Sequence, residues 1–240
     1  MIVFITGSGK RLGRSLALSF ARKGWDVVIH YNESEETAKK TKDEIIAFGR
    51  KAFLVKADLR SHSQIETAFT TTVNEFGIPN VLVNNAGIFP KPKKIFEISK
   101  EDWEETLQIN LSASFYTSKI FVEYARKNSR IVNISSLGAL EIWKNRIPYN
   151  VSKSALIQLT KALARELAPY ISVNTVCPGA ILFENEPSES DSSMIKTNRI
   201  PMKRYATADD IFEAVYFFAT CSNYITGQFL CVDGGASLTK

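Results

Sequence analysis

The chain has 240 residues, 45% hydrophobic and 23% charged, with a formal net charge of +5. That length and balance suit one large α/β domain with a full core and argue against disorder. Two histidines, three cysteines far apart along the chain, and Lys and Arg dispersed among acids argue against a zinc site, a Ser-His-Asp triad and a nucleic-acid-binding stripe.

Ile2-Val3-Phe4-Ile5 is a short apolar run, the pattern of a parallel strand buried on both faces, and it lacks the charged flank of a signal peptide. Thr6-Gly7-Ser8-Gly9-Lys10-Arg11-Leu12-Gly13 follows, then Leu16, Ala17, Phe20 and Ala21 at helical spacing up to Gly24. Strand, glycine-rich turn and helix let backbone amides approach a pyrophosphate, because glycine has no Cβ to hold the anion away. Lys10 is followed by Arg11, not Ser or Thr, so this is no Walker loop.

A second strand runs from Asp26 to Tyr31. NAD sites place an acid at such a strand end on the ribose 2′-hydroxyl, and no acid stands immediately here. Asn32 and Ser34 can donate hydrogen bonds to a phosphate, and Arg11 reaches from the neighbouring turn with a fork suited to it. NADP(H) is therefore expected over NAD(H). Glu33 is the contrary sign, unless it begins the next helix, where Asn32 or Ser34 would cap and an acid suits the dipole.

Helices from about Glu35 to Phe48 and Ser63 to Phe76 alternate with strands Ala52 to Val55 and Asn80 to Val83. The alternation predicts a Rossmann-type doubly wound α/β fold, one domain over 1–240. Asp58, just past the third strand, either meets a ligand or caps a turn. Asn84-Asn85-Ala86-Gly87 follows the fourth strand, as a turn that either lets cofactor rings lie against backbone or is only tight. Lys39, Lys40 and Lys42, and Lys91, Lys93 and Lys94, read as solvated faces or as docking points for an acidic substrate or carrier.

A helical tract from about Lys100 to Lys127 carries Asn110, and the strand Arg130 to Ile134 ends in Ser135-Ser136. Pro148 then introduces a helix in which Tyr149 and Lys153, four apart, project from neighbouring turns of one face. An ammonium beside a phenol stabilises the phenolate and lowers its pKa from about 10, making a usable acid near neutrality. Ser136, Tyr149 and Lys153 should converge at the carboxyl edge of the sheet. A sixth strand, Ile171 to Val176, leads into Pro178-Gly179. Residues 181–200 mix Ile181, Leu182 and Phe183 with Glu184, Glu186, Glu189 and Asp191, and are expected to form a substrate lid. A helix from Asp209 to Cys221 and a strand from Gln228 to Val232 close the domain. No apolar run approaches the ~20 residues of a membrane span, so a cytoplasmic location is expected, with reduced thiols at Cys177, Cys221 and Cys231.

Thr6-Gly7 with Gly13, Asn84-Asn85-Ala86-Gly87, Asn110, Ser136, Tyr149-Asn150-Val151-Ser152-Lys153, Pro178-Gly179 and Ile225-Thr226-Gly227-Gln228 occur in this order. Over essentially its whole length the chain resembles the short-chain dehydrogenase/reductase family. The resemblance implies catalytic roles for Asn110, Ser136, Tyr149 and Lys153. It implies NADP(H) contacts at Gly7, Lys10, Arg11, Leu12, Gly13, Tyr31, Asn32, Ser34, Asp58, Leu59, Asn85, Ala86, Gly87, Tyr149, Lys153, Pro178, Gly179 and Ile181. Tyr149 would give its proton to a developing oxyanion that Ser136 also hydrogen-bonds, with Lys153 on the nicotinamide ribose and Asn110 holding a water. A homotetramer or homodimer is implied as well. The substrate is then a small-molecule or carrier-bound carbonyl, with Phe89, Ser136, Tyr149 and Phe183 as its contacts.

Two subgroups compete. Lys10 to Arg14, His30-Tyr31, Phe89 and the Tyr224 to Gly227 tail look like pteridine reductases, where a pterin stacks on an aromatic side chain. Ser136, where protozoan pteridine reductases carry an aspartate, looks like 3-oxoacyl-carrier-protein reductases and favours carbonyl reduction. Arg11 replaces the usual second glycine of the turn, and Phe183 a threonine near the nicotinamide carboxamide. A non-catalytic NADP(H)-binding protein is the alternative of another class.

Overall fold

A computed structural model describes residues 1–183 and 195–239. Seven parallel strands are β1 (Ile2–Ile5), β2 (Asp26–Tyr31), β3 (Ala52–Lys56), β4 (Val81–Asn84), β5 (Arg130–Ile134), β6 (Ser172–Pro178) and β7 (Phe229–Val232). They form one sheet in the order β3-β2-β1-β4-β5-β6-β7. The order reverses between β1 and β4, and the chain leaving their carboxyl ends parts to opposite sides, opening the crevice where ligands of such sheets bind.

The pleat of β1 decides what lies on each face. Val3 and Ile5 pack against α1 (Arg11–Arg22), α2 (Glu35–Ala47) and α7 (Ala208–Thr220). Phe4 points the other way, stacking on Phe69 at 4.5 Å, into a core shared with α3 (His62–Glu75), α5 (Ala113–Tyr124) and α6 (Ile147–Leu167). Both faces are therefore covered, as an all-parallel sheet requires.

The tract expected as one helix from Lys100 to Lys127 is divided. It consists of α4 (Lys100–Leu107), a π-helical turn over Gln108–Ser112, and α5, which ends at Tyr124. Ala125 turns extended and Asn128 adopts a left-handed φ of 70°, so the last residues leave the helix. Strand β6 runs two residues further than its apolar pattern, pairing Cys177 with Cys231 and Pro178 with Val232. The expected lid residues Glu184, Glu186, Glu189 and Asp191 lie outside the described residues. Among the described residues no helix is long and apolar enough to cross a membrane.

A buried polar network fixes α5 and α6 to the strands beneath them. Asn84 Nδ2 donates to Asn133 Oδ1 at 2.9 Å, Thr117 Oγ1 to Asn84 Oδ1 at 2.7 Å, and Asn133 Nδ2 to Thr160 Oγ1 at 2.8 Å. Each side chain is satisfied, so the network adds register at little desolvation cost. Ser136, from the end of β5, is thereby held opposite Tyr149 and Lys153 on α6.

Candidate active site

The turn after β1 and the turn after β4 are stitched together across the crevice. Thr6 Oγ1 accepts from the backbone N–H groups of Asn85 and Ala86, both at 3.0 Å. Asn85 Nδ2 donates to the carbonyls of Thr6 at 2.9 Å and Gly7 at 3.1 Å. A Cβ on Gly13 would run into the Gly7 carbonyl and the Asn85 amide, so only glycine lets α1 start this close to the turn. His30 completes the clamp. Gly7 N–H donates to its Nδ1 at 2.9 Å, which places the ring proton on Nε2, 3.1 Å from the Ala57 carbonyl. Burial brings its pKa down to about 4, so the ring is neutral at pH 7.

These turns and the strand ends around them enclose a cleft of about 590 Å³. Every residue expected to contact the cofactor lines it, from Gly7 and Arg11 through Asn32, Ser34 and Asp58 to Gly179 and Ile181. Some are already engaged. Arg60 holds Asp58 through hydrogen bonds of 2.7–3.0 Å, which keep that carboxyl below the usual range. Ser34 caps α2 by position without a side-chain capping bond. Arg11 sits at a left-handed φ of 47°, its guanidinium 4.4 Å from the centroid of the Phe183 ring. The Phe183 ring is the platform for Arg11, which itself lines the cleft.

Ser136, Tyr149, Lys153 and Phe89 line the cleft together. The Ser136 hydroxyl accepts from Gly138 N–H at 3.1 Å and favours the Tyr149 phenolate. Lys153, 5% exposed, donates from Nζ to the Ile134 carbonyl at 2.9 Å, and Ser135 Oγ donates to the Lys153 carbonyl at 2.8 Å. Asn110 lies behind the wall. Its amide receives Ile88 N–H at 2.8 Å and donates to Ile88 O and Ser152 Oγ, occupying the π-helical turn. Gly87 stands between the two layers, where a Cβ would approach Asn110 Oδ1 at 3.1 Å and Lys153 Nζ at 3.4 Å.

The expectation that Lys153 lowers the Tyr149 pKa is corrected by this geometry. Burial pushes Tyr149 up to about 12, against the opposing effects of the Ser136 hydroxyl and the charge of Arg146. Lys153 itself is brought down to about 8 by burial. Its ammonium is spent on a backbone carbonyl and stands 6.0 Å from the Tyr149 ring centroid, so desolvation wins.

Two neighbours of Tyr149, Trp143 and Arg146, escaped the sequence reading. Trp143 stacks on it at 6.0 Å and 11°, while Phe89 meets it edge-on at 4.6 Å. Arg146, 7% exposed, lays its guanidinium 3.9 Å from the Phe89 ring centroid. Its place as N-cap of α6, three residues before Tyr149, was the available signal.

A doubly wound sheet with a glycine turn at its switch point and a Ser-Tyr-Lys cluster at its carboxyl edge defines a dinucleotide-dependent oxidoreductase class. A family model described as enoyl-(acyl carrier protein) reductase matches residues 7–237. An uncharacterized oxidoreductase of Thermotoga maritima is 37% identical, over 98% of this chain and 97% of that protein. A 3-oxoacyl-[acyl-carrier-protein] reductase of Synechocystis sp. is 31% identical, over 98% and 96%. The structure of a short chain dehydrogenase from Burkholderia cenocepacia in complex with NADP superposes with a TM-score of 0.90 at 31% identity, covering 98% and 97%. The chain belongs to the short-chain dehydrogenase/reductase family.

Proposed function

We propose that this protein uses NADPH to reduce a carbonyl to a secondary alcohol, with Tyr149 as proton donor, and that its substrates are 3-oxoacyl thioesters or related ketones. The observation that carries the reading is the meeting of Ser136, Tyr149 and Lys153 in the wall of one dinucleotide-sized cleft, two hydroxyls and an ammonium facing the space a substrate oxygen would occupy.

The cleft fits the cofactor. The Cβ-free approach at Gly13 leaves the amides at the start of α1 open to a pyrophosphate. Lys10, Arg11, Asn32 and Ser34 supply donors for a 2′-phosphate. When bound, the dinucleotide supplies the hydride.

The remaining work falls to the chain. A phenol pushed up to about 12 by burial is protonated at pH 7, the form that donates in the reductive direction. Ser136 orients the acceptor oxygen beside that phenol. Lys153, near pKa 8, keeps a positive charge next to the cleft and can pass a proton onward as Tyr149 is consumed. Asn110 anchors the Ile88 backbone and fixes the wall against which Lys153 lies. Phe89 and Trp143 close the far side and exclude water.

A second reading is favoured by those two rings. A dihydropterin is planar, and an edge-on Phe89 with a stacked Trp143 suits a flat ring as well as an acyl chain. The 3-oxoacyl name of a relative over nearly the whole chain supports the carbonyl reading. Replacing Tyr149→Phe tests the chemistry: NADPH affinity measured by fluorescence is retained, and turnover falls by about 10²-fold or more. Full residual turnover would remove Tyr149 from the mechanism.

A further inference from the structure

We propose that Cys177 and Cys231 form a peroxide-oxidisable dithiol, which closes to an intrachain disulfide and slows the enzyme by loosening the Ser135–Lys153 side of the active site. The two are 54 positions apart along the chain, yet β6 and β7 place them directly opposite in register. Parallel neighbours stand about 4.8 Å apart, inside the Cα separation of about 4.4–6.8 Å that a disulfide spans. Paired residues of adjacent strands project to the same face, and here both thiols pack with Ala139 and Ile157 under α6. Within the chain β7 is the outer strand of the sheet, paired to β6 alone.

The thiols divide the chemistry. Cys177 is fully buried, whereas Cys231 is partly exposed, so peroxide meets Cys231 first. The neighbouring Cys177 favours the Cys231 thiolate, against its burial and the opposing charges of Asp233 and Glu141. The Cys231 thiolate attacks one oxygen of the peroxide, forming a sulfenic acid and releasing the other as hydroxide, which takes a proton to become water. Cys177 sulfur then attacks the Cys231 sulfur, the sulfenic hydroxyl leaves with the Cys177 proton as a second water, and the S–S bond has formed. Two electrons pass from the thiols to the peroxide.

The consequence follows from where Cys177 stands. Ser135 N–H donates at 2.8 Å to the carbonyl of Val176, the residue before Cys177, and Ser135 Oγ also holds the Lys153 carbonyl. Drawing the Cys177 sulfur toward β7 pulls on the strand that holds Ser135, at the root of the residues that set Lys153 and Ser136.

The test treats the reduced, full-length protein with hydrogen peroxide and counts titratable thiols, with intact mass and peptide mapping alongside. The expected result is a fall from three thiols to one, a mass lower by two hydrogens, and a peptide joining Cys177 to Cys231. Cys221 stays free. NADPH oxidation slows about tenfold and recovers with dithiothreitol, while Cys231→Ser turns over normally and ignores peroxide. Three persistent thiols, oxidation confined to Cys221, or a disulfide that leaves turnover unchanged would overturn the proposal. The thiol count needs no substrate, so it separates this outcome from a failure of the carbonyl-reductase reading.

Discussion

Arg11 occupies a position where the family uses glycine, and it keeps the glycine-like backbone there at a φ of 47°. A non-glycine residue in that region costs about 1 kcal/mol. The stack on Phe183 offsets part of that cost, and a charged fork beside Asn32 and Ser34 is what the strain maintains. Arg11→Ala should therefore reduce the preference for NADPH over NADH by about tenfold, read as the ratio of kcat/KM values. An unchanged ratio would place the 2′-phosphate elsewhere. Residues with a fixed chemical meaning, such as Tyr149 and Lys153 four apart, were legible in the sequence, because helix geometry alone brings them to one face. Their proton affinities were not. Desolvation depends on everything packed around a group, and Trp143 and Phe89 reach Tyr149 from segments with no periodic relation to it.

At the level of elements, strands β1, β2 and β5 stand where the apolar runs put them, because a buried parallel strand has a continuous signature. The π-helical turn at Asn110 was hidden, since its cause is a bond between the Asn110 side chain and the Ile88 backbone 22 residues away. The extension of β6 that pairs Cys177 with Cys231 was hidden for a similar reason: it depends on the register of β7. The β1–β2 clamp makes a measurable prediction. His30 is neutral when folded, with a pKa near 4, and carries its ordinary 6.5 when unfolded. The unfolded chain binds more protons between those values, so stability falls as pH drops from 6.5 toward 4, by about 3 kcal/mol in the limit. His30→Asn removes that loss. The stability gap between the two proteins, measured by urea unfolding, should narrow as pH falls through this window; a gap that stays constant would mean that the ring is not held neutral.

Over the described residues, exposed apolar side chains include two groups on the outer helices and the last strand. Trp103, Phe115 and Val151 stand on α4, α5 and α6, and Phe217, Phe229 and Leu230 on α7 and β7. Apolar patches of this kind mark association surfaces, and two different ones suit the homotetramer, one of the two oligomers expected from the family resemblance. Light scattering should give four chain masses, and Phe115→Glu should reduce that to two; a monomer for the unaltered protein would contradict the assignment. The central claim concerns what reaches Tyr149 and Ser136. Its most direct measurement is the initial rate of NADPH oxidation by the pure protein, with an acetoacetyl thioester and with dihydrobiopterin in parallel. Turnover of the thioester and none of the pterin is the predicted result. Turnover of the pterin alone would contradict it, and would make Phe89 and Trp143 the residues that choose the substrate.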